Sequence, residues 1–337
     1  MKVLTFGFGS IAQRHISNIL DACDIDSLYV YLPTCSSSID YRPHYRHPTF
    51  PITRIISPEQ LASVLGAFNH DDLVLIASPS IFHVEQLRSA LTLTAINKPI
   101  IIVEKPLAVS SNQVADLLRL SSLDTSSTYV VSQYRASAAY EYISDIVASQ
   151  RLGRFRFASI VTHEAIALWH PWEDFRNSYA VRKELGGGCF LTQMHDLDII
   201  FSLCGLPQSA HLQLGSGGGL RINCDDYYSL IMSNFSASPV LSVNCQVSYY
   251  CSTPLREHSY VFDEGSIHVN LLSSELRIRI GLVDEVIAFP NDRNLLYQSV
   301  ALAIKTKDIL STCGLVPFSE SLRFHSWLCS LYDRSAS

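Results

Sequence analysis

Six residues near the start of the chain, Gly7-Phe8-Gly9-Ser10-Ile11-Ala12, limit what it can fold into more than any other stretch. They follow an apolar run over residues 2–6 that reads as a short buried strand, and they lead into a helical pattern reaching about Asp21. G-x-G-x-x-A between a strand and a helix is the signature of a dinucleotide-binding turn. Each small residue has its own reason to be there. Gly7 permits the tight turn, Gly9 lets the backbone approach a pyrophosphate, and Ala12 lets the helix pack closely on the strand. Ser10 and Ile11 open the helix, whose N-terminal amides stabilise phosphate oxygens.

The next strand, residues 28–32, bears on which nucleotide is held. An acidic residue at its end would accept hydrogen bonds from the adenosine ribose and favour NAD. Here Thr34 and the serines after it stand in that place, with Arg42 and Arg46 shortly beyond, so the loop leans to NADP while leaving NAD open. Strand and helix then alternate. Ser57-Pro58 opens a helix with an N-cap and an N1 proline, and residues 73–77 and 100–103 are continuous apolar runs suited to a parallel sheet covered on both faces. Ser110 and Gln113 have capping-box spacing. Such alternation predicts a doubly wound parallel sheet with its ligand at the carboxyl ends of the strands. Ser78, Pro79 and His83 follow one such end, and Glu104 and Lys105 stand at another; all five are candidates to line the cofactor.

At 337 residues the chain is long for one core, and the boundaries expected are 1–125 for the nucleotide domain and 126–337 for a second domain. Hydrophobic residues make up 47% and charged residues 17%, which describes a well-buried globular protein. A net charge of -6 gives no basic footprint for nucleic acid. Nine cysteines, scattered and without a C-x-x-C, fit thiols in a reducing compartment better than a disulfide framework. The 12 histidines include no zinc-protease or finger spacing, so no metal is expected. The N-terminus runs from strand to glycine turn too quickly for a signal peptide, and no apolar run of about 18 residues suggests a membrane span. The expected location is the cytoplasm.

The second half turns on Gly186-Gly187-Gly188 and the helix expected to follow it. Thr192, His195 and Asp198 fall at i, i+3 spacing on one face of that helix, which Gly205 and Pro207 should end. Taken alone, His195 reads as a hydrogen-bonded core histidine or as a general acid/base entered through flexible backbone. Strands are expected over residues 155–163, 210–214, 227–235, 240–250, 257–263, 266–270 and 275–280, most of them alternating apolar and polar. That pattern predicts a large open, mainly antiparallel sheet with one solvated or partnered face, used to form a homo-oligomer, dimer or tetramer. Residues 169–174 form an aromatic loop. Trp172, Tyr179 and Arg182 offer stacking surface and charge for a sugar-type substrate, or serve as a lid or subunit contact.

Three stretches together resemble one family. The N-terminal run from Gly7 to His15, Glu104-Lys105-Pro106, and the triple glycine ahead of His195 are similar to the glucose–fructose oxidoreductase/inositol dehydrogenase (Gfo/Idh/MocA) family, over essentially the whole chain. Trp169-x-Pro171-x-x-Asp174-Phe175-Arg176 and His195-Asp196-Leu197-Asp198 resemble a branch often encoded with surface-sugar synthesis. The resemblance implies a Rossmann domain followed by an α/β domain with an open antiparallel sheet. It also implies hydride transfer between a nicotinamide and a sugar, cyclitol or nucleotide-linked sugar. Lys105 would then hydrogen-bond the reacting hydroxyl and His195 carry its proton, with Arg135, Thr192 and Asp198 beside the substrate. The chain departs from the family twice. Thr192 and Leu191 occupy positions where an aspartate is common, and N-x-R-F-H reads Gln133-Tyr134-Arg135-Ala136-Ser137. Two other readings stay open: a dinucleotide-binding sensor without turnover, and a redox-neutral enzyme that oxidises its substrate transiently.

Overall fold

The computed structural model describes every residue except 34–39, 44, 218, 237, 291, 310–313 and 337. The chain divides into two compact units. One comprises Met1–Gln133 with Arg293–Ser326, and the other Tyr134–Asp292 with Trp327–Ser337.

In chain order the first unit holds β1 (Lys2–Phe6), α1 (Ser10–Ala22), β2 (Ser27–Tyr31), β3 (Ile52–Ile55), α2 (Pro58–Gly66), β4 (Leu73–Ile76), α3 (His83–Leu93), β5 (Ile100–Val103), α4 (Ser111–Leu120) and β6 (Thr128–Val131). The local signals act as expected at two helix starts: the Ser57 and Ser110 side chains accept from the Gln60 and Gln113 amides. The sheet order is β3-β2-β1-β4-β5-β6, all parallel. Strands after β3 are added on the opposite side of β1, so β1 and β4 flank the switch point where doubly wound sheets hold their ligands.

The second unit begins with α5 (Ala138–Ser149) and β7 (Phe155–Ala165) and continues through α6 (Cys189–Thr192), α7 (His195–Cys204) and β8 (Pro207–Gly215). It then runs through β9 (Tyr227–Phe235), β10 (Ser242–Ser248), β11 (Tyr250–Phe262), β12 (Ser266–Asn270), β13 (Glu275–Ile280) and β14 (Val283–Ala288). The sheet order is β14-β13-β12-β11-β7-β10-β9-β8, antiparallel except for the β7–β10 pair. One face buries Ile160, Leu230, Val243, Cys245, Tyr260 and Ile267, while the other exposes Phe157, Ile231 and Val261.

The chain finally supplies α8 (Arg293–Thr306), β15 (Leu315–Pro317) and α9 (Phe318–Ala336). A single cut after residue 125 does not describe this return. Val300, Ala301 and Ile304 of α8 join Ile16, Ile19, Leu28 and Leu73 in one apolar core, and β15 adds an antiparallel edge beside β6. The first unit is thus completed by residues more than a hundred positions downstream.

The expected helix through Thr192 and Asp198 is two helices, α6 and α7, interrupted at Gln193 and Met194. Its entry is dense rather than flexible. Gly186 has φ 83 and Gly188 φ 123, a region that suits glycine. A Cβ on Gly187 would lie 2.3 Å from the Tyr179 carbonyl oxygen, and one on Gly188 2.3 Å from Asp225 Oδ1. Asp225 accepts from the Phe190 amide at 2.7 Å through its carboxylate, and its carbonyl accepts from Cys189 at 2.9 Å. The three glycines therefore let α6 start against neighbouring backbone. Gly187→Ala forces main-chain atoms apart and is expected to lower unfolding stability by about 2–4 kcal/mol. Denaturation curves check this, and an unchanged midpoint would contradict the packing role.

Candidate active site

Within the first unit the glycine turn is shaped by contacts on one side and openness on the other. Gly7 has φ +83, and a Cβ there would stand 2.9 Å from Ser78 Cα, so the turn presses against the end of β4. Gly9 is exposed with φ -75, and a Cβ on it would meet no atom of the described residues within 4 Å beyond its chain neighbours. Ala12 is fully buried where α1 packs on the sheet. The N-cap residue of α1 is Gly9, which has no side chain to cap the helix, and no acidic residue lies in the first turn. Ser10 and Ile11 are half-buried there. A pyrophosphate fits this turn: the backbone approach is unblocked and the helix end carries positive potential.

Gln13 reinforces the turn. Its side-chain amide donates to the Phe8 carbonyl at 2.8 Å and the Asp40 carbonyl at 2.7 Å, and its oxygen accepts from the Arg42 amide at 2.7 Å. It thereby ties the glycine turn to the segment after β2. Thr34 lies outside the described residues. Arg42 pairs with Asp40 at 3.3 Å, and Arg46 is ion-paired with Asp21.

Glu104 and His83 are buried tethers. His15 of α1 sits 2.7 Å from Glu104 Oε1, and Glu104 Oε2 accepts from the Lys105 amide at 3.1 Å. One carboxylate thus joins the helix of the glycine turn to the backbone of Lys105. Both His83 ring nitrogens face carbonyl oxygens, Pro106 at 2.8 Å and Ser78 at 2.9 Å, which links the ends of β5 and β4. Ser78 Oγ donates to Gln86 at 2.7 Å, Pro79 leads into a short 3₁₀ turn, and Lys105 is half-buried.

In the second unit the candidate residues gather around the start of α7. His195 is 8% exposed and packs against Tyr134, with ring centroids 4.6 Å apart at 57°. Asp198 is held by Arg135 through both oxygens, Nε to Oδ2 at 2.9 Å and Nη2 to Oδ1 at 2.7 Å. Thr192 Oγ1 donates to the Gly188 carbonyl at 2.7 Å and also bonds to the Tyr249 hydroxyl. Tyr179 is half-buried in a 3₁₀ turn. Trp172 is 39% exposed and stacks on His170 at 5.1 Å, and the exposed Arg182 pairs with Glu184 at 2.7 Å.

The group that sequence reasoning missed is Asp196. It is wholly buried, accepts from Thr162 Oγ1 at 2.8 Å, and lies 3.3 Å from His258 Nε2 and 3.9 Å from Arg256 Nη2. Burial works to raise its pKa, but Arg256 and then His258 carry it well below the ordinary carboxylate range. Arg256 also donates to Gln193 Oε1 at 3.1 Å and to the Tyr134 hydroxyl. One signal was available: Arg256 and His258 share the strand face that carries Tyr260 and Phe262, where apolar residues are expected.

Among the described residues no helix is long and apolar enough to cross a membrane, and no group of three or more His, Cys, Asp or Glu is placed to hold a metal ion. No family model and no curated protein matches the chain. Solved structures do match. Biliverdin reductase from Synechocystis, in complex with biliverdin and NADP+, is 14% identical with a TM-score of 0.72, the match covering 99% of this chain and 98% of that one. UDP-N-acetylglucosamine 3-dehydrogenase from Acidithiobacillus ferrooxidans is 13% identical, with a TM-score of 0.71 and coverage of 100% and 98%. An oxidoreductase from Agrobacterium radiobacter in complex with NAD+, L-tartaric acid and magnesium is 14% identical, with a TM-score of 0.73 and coverage of 100% and 96%. The chain has the two-domain α/β fold of these oxidoreductases, a parallel sheet followed by a mainly antiparallel one.

The buried tethers give the fold an acid limit. Burial pushes Glu104 up, but the His15 hydrogen bond and charge, then Lys105, bring it below its ordinary 4.5. The unfolded chain therefore takes up that proton first, and stability present above pH 4.5 is lost as the pH falls. His83 acts with the same sign from 6.5 downwards, because burial holds its imidazole neutral. Glu104→Gln is expected to flatten the fall in stability below pH 4.5 while leaving the fall between 6.5 and 4.5 in place. Urea denaturation across that range checks this; identical profiles for parent and variant would contradict it.

Proposed function

We propose that the protein is an NAD(P)-dependent oxidoreductase acting on the hydroxyl or keto carbon of a sugar, cyclitol or nucleotide-linked sugar. The observation that carries the reading is the glycine turn: Gly7 is pinned against Ser78, while Gly9 opens to space that no atom of the described residues beyond its chain neighbours takes. The fold is shared with structures in complex with NADP+ and with NAD+, and separately with a nucleotide-sugar dehydrogenase.

On this reading the turn and the N-terminus of α1 hold the pyrophosphate. The bound nicotinamide supplies the hydride acceptor or donor. In the oxidising direction Lys105 donates a hydrogen bond to the substrate hydroxyl, which favours the developing alkoxide. His195 Nδ1 or Nε2 accepts the hydroxyl proton as the carbonyl forms, and returns it in the reducing direction. Arg135, fixed by Asp198, and Trp172 with Tyr179 line the substrate. A sugar is favoured by exposed aromatic surface beside hydrogen-bonding groups. The lean towards NADP rests on the hydroxyl-bearing loop, since Arg42 is paired with Asp40 and Arg46 with Asp21.

Lys105→Ala and His195→Ala are each expected to reduce kcat by about 10²–10⁴, His195→Ala with nucleotide affinity unchanged. Absorbance of the reduced nicotinamide across a panel of sugars and nucleotide sugars measures this. Full activity in His195→Ala would sink the assignment. Nucleotide binding by the parent without turnover on any substrate would favour the sensor reading, and product formation without net change in reduced nucleotide the redox-neutral one.

A further inference from the structure

The ring beside His195 is itself tightly held. Tyr134 belongs to the short 3₁₀ turn Gln133–Ala136, and its hydroxyl accepts a hydrogen bond from Arg256 Nη1. The same guanidinium lies 4.9 Å from the Tyr134 ring centroid, within cation–π range. Arg256 is 8% exposed and is fixed by Gln193 Oε1 at 3.1 Å, Glu164 Oε1 at 3.6 Å and Asp196 Oδ2 at 3.9 Å. Burial works against its charge, but Tyr134, Asp196 and Glu164 keep it firmly protonated. A buried cation with two carboxylates behind it therefore immobilises the aromatic face on which the imidazole rests.

We propose that Tyr134, locked by Arg256, is the positioning residue for His195. A general base needs its ring plane set before substrate arrives, because a small misplacement of a reacting group is costly. An aromatic ring packs on the imidazole here, and a buried guanidinium fixes the ring. The chain of contacts runs from Thr162 and His258 through Asp196 to Arg256, then Tyr134, then His195. Asp196 immediately follows His195 in α7, so the network anchors both the helix and the ring that faces it. This inference rests on the reading of His195 as the proton carrier, but its geometric part does not require turnover.

The test uses the full chain with ¹⁵N-labelled histidine. The His195 ring signals are assigned by their loss in His195→Gln and are read without nucleotide or substrate. Tyr134→Leu is expected to displace them and to lower kcat by about 10- to 100-fold with KM nearly unchanged. Tyr134→Phe keeps the ring and gives up the Arg256 hydrogen bond, so it should restore most of kcat and displace the signals less. If Tyr134→Leu does not fold, Tyr134→Phe carries the test through the same signals. His195 signals unmoved in every folded Tyr134 variant would overturn the proposal. Displaced signals in a protein without turnover would uphold the positioning role and instead remove the proposed function.

Discussion

A carboxylate sealed from water must be met by charge and hydrogen bonds before anything else can pack around it. Asp196 imposes that condition on the second unit. Strand register meets it: Arg256 of β11 stands opposite Thr162 of β7, and His258 opposite Ile160, so all three polar groups reach the sheet face against which α7 lies. The position of Asp196 in the first turn of α7 adds the favourable end of the helix dipole. Taking several charges out of water costs several kcal/mol per ion, and removing one partner of such a pair destabilises by about 3–5 kcal/mol. A network of this kind is weak evidence for stability. It is better explained by what it holds in place, which is the start of α7 and the Tyr134 ring against His195.

The first unit solves a parallel problem with Glu104. Its carboxylate is spent on His15 of α1 and on the Lys105 amide. Through it, the helix whose N-terminus suits a pyrophosphate is tied to the strand end that presents a lysine. Gln13 and His83 extend the stitching to the segment after β2 and to the end of β4. Anchoring of this kind is what preorganisation requires, because the groups that would meet a ligand are held by groups that do not.

Much of the architecture was legible because the burial pattern has a period. The alternation Arg277-Ile278-Arg279-Ile280 and the apolar run 73–76 both name their strands, and Ser57 and Ser110 announce helices. The strands that escaped notice are edge or short elements. β3 is four residues with an exposed threonine, β14 is exposed along most of its length, and β15 ends in proline. The break at Gln193–Met194 has no sequence signature because apolar spacing runs straight through it; Gln193 is engaged there by Tyr228 and Arg256, far along the chain. His15, Gln13 and Asp196 were passed over for a related reason. Their partners are 89, 27 and 34 residues away, and no local pattern records a long-range hydrogen bond. Composition and spacing identify which residues are chemically able, whereas register decides which of them meet.

The central claim, that the glycine turn cradles a dinucleotide, is tested most directly at Gly9. Its φ is ordinary and a Cβ there meets no atom of the described residues beyond its chain neighbours, so Gly9→Ala leaves their packing intact and intrudes on the space assigned to the pyrophosphate. Calorimetric titration of NADH and NADPH into the parent and Gly9→Ala, with thermal unfolding as a control, is the measurement. The account predicts that the parent binds at least one nucleotide, that Gly9→Ala binds it about ten-fold more weakly or worse, a loss of about 1.4 kcal/mol or more, and that Tm does not change. Failure of the parent to bind either nucleotide, or equal affinity in the variant, would contradict it.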